Sequence, residues 1–172
     1  MYWNCATDGS ANGYSACGTV RPGKLAPREV SLIMVTMTGL GTIRIAAALL
    51  NRSEGRILVV RKRGTAAFMQ PGGKIEPGED AVAALCRELH EELGLLVGCD
   101  EPRHLGRFAA PAANEAGWTV EAEIFQLKLN GSVRSAAEIE ETAWVDPSSP
   151  GSLVLAPLTR NHVLPLCAKI TS

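Results

Sequence analysis

The sequence is short of the features that would place it in several large classes. It has no basic excess: 17 Lys and Arg stand against 18 Asp and Glu, a formal net charge of −1. A balance of that kind gives no support to a nucleic-acid scaffold role, which needs a positive face. It has no apolar run of membrane length. Stretches such as Ile43 to Leu50, broken by Arg44, fall far short of the ~20 residues a spanning helix needs. The five cysteines, at 5, 17, 86, 99 and 167, form no CxxC pair and no zinc spacing. An odd, scattered set argues against a disulfide framework, and a reducing cytoplasm fits it best. The N-terminus lacks the charged-then-apolar pattern of a signal peptide. There are no internal repeats.

What is present suits one globular domain. The chain has 172 residues, 46% of them apolar and 20% charged, enough for a proper core and too few for two large domains. Residues 1–40 stand apart. They are rich in Gly, Ser, Ala and Asn without helical or strand period, and read as a poorly ordered tail preceding a domain at 41–172. Met34 and Met37 are alternative starts if the tail comes from an over-extended reading frame.

Within the domain, Thr42 to Leu50 and Arg56 to Arg61 read as a hairpin of two strands around a turn at 51–55. A short strand at Ala66 to Gln70 leads into Pro71-Gly72-Gly73. Strands follow at Arg103 to Ala109, Thr119 to Leu129 and Thr142 to Val145, with an acidic connector at Ser135 to Glu141. Leu153 to Ala168 reads as a closing helix broken by Pro157 and Pro165. Strands on both sides of one central helix, with a second helix at the end, predict a layered α/β domain with a mixed β-sheet.

The central stretch runs from Gln70 to Leu95, QPGGKIEPGEDAVAALCRELHEELGL. At 100° per residue, a helix from Asp80 to Leu93 puts Val82, Leu85, Cys86, Leu89 and Leu93 on a core-facing side. Glu88, Glu91 and Glu92 are read together on roughly the opposite side. Like charges at i,i+3 and i,i+4 weaken a helix by a few tenths of a kcal/mol each. Three stacked carboxylates, with Glu79 upstream, therefore suggest a bound cation, and carboxylate oxygens are the ligands that hard divalent ions such as Mg²⁺ or Mn²⁺ take.

The spacing is Gly73, five residues, Glu79, seven residues, Arg87-Glu88-Leu89, one residue, Glu91-Glu92, one residue, Gly94-Leu95. This resembles the Nudix box, G-x5-E-x7-R-E-U-x-E-E-x-G-U with U apolar, at every defined position. Seven fixed identities arise by chance on the order of once in a billion start sites. The resemblance implies a Nudix-type α/β/α sandwich, of MutT-like character, that hydrolyses the pyrophosphate bond of a nucleoside diphosphate derivative with Mg²⁺ or Mn²⁺. It implies Glu88, Glu91 and Glu92 as metal ligands, joined by the backbone carbonyl of Gly72. Glu79 and Arg87 become a pair bracing the helix against the loop, with a base or metal role for Glu79 as the alternative. The family often takes a further carboxylate from outside the box. Glu138, six residues before Trp144, is the first candidate and Glu141 the second; a merely solvated acidic loop is the alternative for that run.

Candidate phosphate contacts are Arg61, Lys62, Arg63 and Lys74, with Lys74 favoured because it lies in the loop; surface solubility explains any one of them as well. Phe68 either stacks on a base or packs, and packing is favoured. Substrate choice lies outside the box. Pro111, sixteen residues after Leu95, sits near an ADP-ribose marker position, and no tyrosine follows the box, since Tyr2 and Tyr14 precede it. The PGGKIEPGE run most resembles enzymes acting on a (d)NTP or modified nucleotide, with ADP-ribose or nucleotide-sugar hydrolysis, or a non-catalytic nucleotide sensor, as alternatives. A monomer or homodimer taking a nucleotide-derived small molecule, with no membrane partner, completes the expectation.

Overall fold

The computed structural model describes residues 41–129, 131–136 and 138–170; the tail expected at 1–40 lies outside them. Six strands form one mixed sheet: β1 (Gly41–Asn51), β2 (Ile57–Lys62), β3 (Gly72–Lys74), β4 (Arg103–Pro111), β5 (Trp118–Lys128) and β6 (Ile139–Val145). The strand order is β4-β5-β1-β2-β6, with β3 paired to β1 off that path. β1 runs parallel to β5 over its whole length, from Gly41 opposite Trp118 to Asn51 opposite Lys128, and every other pairing is antiparallel.

Helix α1 (Ala81–Leu93) covers one face of the sheet. Ala46, Ala48 and Leu50 of β1 and Leu58 and Val60 of β2 pack there against Ala84, Leu85, Leu89 and Leu93. On the other face Ala47, Leu49, Ile57 and Val59 meet Leu155, Leu158, Val163 and Cys167. Covered on both sides, β1 reads as a continuous apolar run from Ala46 to Leu50 rather than an alternation. The architecture is thus the expected α/β/α sandwich. No helix among the described residues is long and apolar enough to cross a membrane.

Four local expectations are corrected. β1 and β2 are antiparallel neighbours, but they pair only at Asn51 and Ile57. Beyond that point β3 takes the edge of β1, at Ile45, Ala46 and Ala47, so the hairpin splays to admit the glycine turn. The strand expected at Ala66 to Gln70 reduces to single bridges at Phe68 and Met69, and the strand proper is Gly72–Lys74. Glu140 and Glu141 belong to β6 rather than to a connector. The closing helix is a π-turn, Thr159–Val163, that runs into α2, Leu164–Ile170. The wider turn has Leu164 N–H donate to the Thr159 carbonyl, and Pro165, which has no N–H to give, follows it without ending the helix.

The limits of α1 follow from its sequence. The Asp80 side chain accepts from the N–H groups of Val82 and Ala83, both at 2.9 Å, so Asp80 is the N-cap rather than the first helical residue. Gly94, at φ 65°, takes the left-handed cap and donates to the His90 carbonyl.

Candidate active site

The box places α1 beside β3 and the Gly72-Gly73 turn. The burial of α1 departs from the three-carboxylate face expected of it. Glu92 comes seven residues after Leu85, two turns on, which returns it to within about 20° of that leucine. It is buried, 2% exposed, while Glu91 stands in solvent and Glu88 lies between them, with side-chain exposures of 57% and 13%.

Each of these carboxylates meets a cation of the chain. Arg87 holds Glu79 through two bonds, Nε to Oε1 and Nη2 to Oε2, both 3.0 Å. Its Nη1 reaches Glu88 at 2.8 Å and Glu91 at 3.3 Å, and Nη2 also donates to the Lys74 carbonyl at 3.0 Å. The brace expected between Glu79 and Arg87 is therefore formed and extended to the loop. Glu92 Oε2 accepts from Gly72 N–H at 2.9 Å. Its Oε1 lies 2.7 Å from the Lys62 ammonium. Among the described residues no three acidic side chains converge into a ready-made cation cage.

Charge regulation follows this wiring. Burial pushes the Glu92 carboxyl above its ordinary value, against the pull of Lys62 and the Gly72 N–H. Burial opposes the Lys62 charge, yet Glu92, Glu88 and Glu138 outweigh it and hold its pKa above that of a free lysine. Arg87, bonded to Glu79 and Glu88, is held more firmly charged than a free guanidinium.

Of these groups Lys62, Glu88, Glu91 and Glu138 line a cleft of about 360 Å³, while Glu92, Arg87 and Glu79 support it without being on its wall. Its polar lining residues include Lys62, Lys74, Glu76, Glu88, Glu91 and Glu138, beside the Gly72-Gly73 turn. Its apolar lining residues include Ile43, Ile45, Ala47, Met69, Val120 and Leu158, and Pro111 at the end of β4 with Ala113, Asn114 and Glu115 of the following loop complete the wall. Gln70 is also on the wall, with Oε1 accepting from Thr159 Oγ1 at 2.8 Å. A larger hollow, about 620 Å³, lies toward the far end of β1 beside Arg52, Arg103 and Lys128, and has no acidic side chain on its wall.

Of the candidates from sequence, Glu88, Glu91, Glu138, Gly72, Lys62, Lys74 and Pro111 reach the cleft. Arg61 does not. It is spent on Glu140 at 2.7 Å and Glu141 at 2.9 Å, which also occupies the second-choice carboxylate. Phe68 is buried in the core beneath the Arg61 guanidinium, the packing alternative. Lys62, one residue on, takes the cleft position. Side chains alternate along a strand, and Leu58 and Val60 already face α1, so the parity of Lys62 was available from sequence.

The donor set fits a divalent cation. Glu88 and Glu91 offer carboxylate oxygens at the cleft wall, and Glu92 has a buried oxygen whose partner is the Lys62 ammonium. Gly73 has the further feature that a Cβ there would collide with the Glu88 carboxylate. The glycine leaves room for that carboxylate to lie on the turn. Hard oxygen donors of this kind suit Mg²⁺ or Mn²⁺.

The NUDIX domain family model matches residues 41–166. The chain belongs to the NUDIX domain family. A MutT-like protein of Streptomyces ambofaciens is 28% identical to this NUDIX chain over 102 residues, 59% of this chain and 62% of that protein. A Bacillus subtilis (strain 168) protein provisionally named 8-oxo-dGTP diphosphatase is 31% identical over 106 residues, 62% of this chain and 65% of that protein. The matched stretch thus spans less than two thirds of either relative. In three dimensions the NUDIX chain is similar to the MutT protein of Methanosarcina mazei, with TM-score 0.61 and 19% identity over 76% of this chain and 94% of that one. Identity at that level speaks for the fold.

A pH prediction arises from the surface wiring. Arg87 holds the Glu79 carboxyl below its ordinary value, aided by the Glu76 N–H. Burial works against the charge of Glu123, but His104 and Arg107 prevail and hold that carboxyl low too. A depressed carboxyl contributes stability above its unfolded pKa and loses it as pH falls through the folded value. Melting temperature is expected to decline on acidification below about pH 5, and Glu123→Gln to flatten part of the decline. A profile unchanged by Glu123→Gln would contradict the assignment.

Proposed function

We propose that this protein hydrolyses a pyrophosphate bond in a nucleoside diphosphate derivative, most readily a (d)NTP or modified nucleotide, with Mg²⁺ or Mn²⁺. The observation that carries the reading is the mixed lining of one cleft. It is lined both by Glu88, Glu91, Glu138, Lys62 and Lys74 and by Ile43, Ile45 and Val120. A diphosphate group suits the first set and a nucleoside the second.

Glu88, Glu91 and Glu92 would hold the cation, with Gly72 lending its backbone. When bound, a divalent ion neutralises phosphate oxygens and lowers the pKa of coordinated water. The chain's residues position what reacts. Arg87 fixes Glu79, Glu88 and the Lys74 carbonyl, so a single guanidinium ties the helix to the loop. Glu138 stands on the same wall and is our choice for the further carboxylate that takes a proton from the attacking water. Lys74, an exposed residue of the cleft wall, would contact the phosphates. The reaction belongs in the cytoplasm, and the protein works as a monomer or homodimer.

An ADP-ribose or nucleotide-sugar substrate is the second reading, and the presence of Pro111 on the cleft wall favours it. Phosphate or nucleotide release should be measured with Mg²⁺ across (d)NTPs, 8-oxo-dGTP, ADP-ribose, NADH and dinucleoside polyphosphates. We expect turnover of a triphosphate above all others. Preference for ADP-ribose would transfer the assignment to the second reading. Binding without release would make the protein a nucleotide sensor.

A further inference from the structure

We infer that Lys62 is the resident counter-ion of the cation site, displaced when a divalent ion enters and then free to bind a phosphate of the substrate. The inference rests on the reading of Glu88, Glu91 and Glu92 as ligands. It adds a residue that the box does not contain.

Glu92 is the most deeply buried acid among the described residues, 2% exposed. An uncompensated charge at such depth is costly. One oxygen is satisfied by Gly72 N–H, and the other has only the Lys62 ammonium, 2.7 Å away. That ammonium stands where a cation bound to Glu92 Oε1 would stand. Two cations on one oxygen repel, and in a partly buried setting the repulsion is weakly screened. The ammonium therefore has to leave as the ion enters.

Its destinations are few. Lys62 lines the cleft, and the other acids acting on it are Glu88 and Glu138, both on the cleft wall. Glu88 becomes a ligand in the loaded state. A flexible four-carbon stem carrying a point charge can move to a phosphate without moving the backbone. Arg61 has no such freedom, since Glu140 and Glu141 hold both ends of its guanidinium. Strand parity thus divides two adjacent cations of β2 between structure and ligand.

The test uses the full chain and three readouts. Mn²⁺ titration followed by electron paramagnetic resonance gives the cation affinity. Lys62→Met and Lys62→Gln are both expected to bind Mn²⁺ about tenfold more tightly than the parent, an ordinary size for coupling between competing ligands. The melting temperature of metal-free Lys62→Met should fall by on the order of 5 °C, because Glu92 loses its partner, and Mn²⁺ should restore it. Lys62→Gln keeps a donor for Glu92 and guards against a variant that fails to fold. Inorganic pyrophosphate should bind the Mn²⁺-loaded variants about tenfold more weakly, the loss of one charge-assisted contact. Unchanged or weaker Mn²⁺ binding in both variants would overturn the role of Lys62 and leave the cation site standing. Absence of Mn²⁺ binding from parent and variants alike would remove the site itself, and the counter-ion with it.

Discussion

Glu91→Gln is expected to lower kcat/KM by about two orders of magnitude or more while leaving the melting temperature within about 1 °C of the parent. The substitution keeps size and shape and removes one negative charge. Glu91 is exposed, and among the described residues its one ion pair is the long 3.3 Å contact to Arg87. Exposed i,i+4 pairs contribute about 0.3–0.5 kcal/mol, and Arg87 keeps Glu79 and Glu88. The fold therefore has little to lose, whereas the proposed cation site loses a ligand charge. Steady-state kinetics in Mg²⁺ beside differential scanning fluorimetry would check both halves. Glu92→Gln separates the two effects differently. Turnover should fall as far, but the melting temperature should fall too, because the Lys62 ammonium loses its partner. Parent-like kinetics in both variants would rule out the assigned site.

The largest stability effect is expected at Gly72. Gly72→Ala should cost about 2–4 kcal/mol, a fall in melting temperature on the order of 10 °C. Two causes add. Gly72 has φ 138°, a conformation side chains rarely adopt, and a Cβ there would overlap the Ala46 carbonyl oxygen and press on Ala47 Cα. Those are backbone atoms of the central strand, which cannot turn aside as a side chain can. The shift would also pull Gly72 N–H from Glu92. Gly73→Ala is a contrasting control: its Cβ would meet the Glu88 carboxylate instead, so activity should suffer more than stability. Equal melting temperatures for Gly72→Ala and the parent would show that β1 yields where we expect it not to.

What could be read in the sequence was local. The spacing from Gly73 to Leu95 and the helix within it depend on residues within a few turns of one another, and the helix formed as read. The layered fold followed from the order of strands and helices. Two site features were misread for geometric reasons. Glu92 was grouped with Glu88 and Glu91 by charge, although its angle on the helix lies beside Leu85, and burial followed the angle. Arg61 and Lys62 were read as equal candidates for a phosphate contact, although strand alternation carries only Lys62 to the α1 side. Other features were beyond local reading. The cleft wall at Pro111, Asn114 and Leu158 comes from segments distant in sequence, brought together by sheet order. The splayed β1–β2 pair arises because β3 competes for the same edge of β1, a choice made by tertiary packing.

The parallel alignment of β1 with β5 has a kinetic consequence. Gly41–Asn51 must wait for Trp118–Lys128 to supply its long partner, and the whole box is synthesised in between. Pairings so far apart in sequence carry a large loop-closure entropy and slow the search for the native state. Helix α1, with both its caps local, can begin to form early. The wall formed by Ile43, Ile45 and Val120 cannot exist until β5 has emerged and docked. The acidic helix is then made before the pocket it serves, and the closing of that pocket is among the last events of folding.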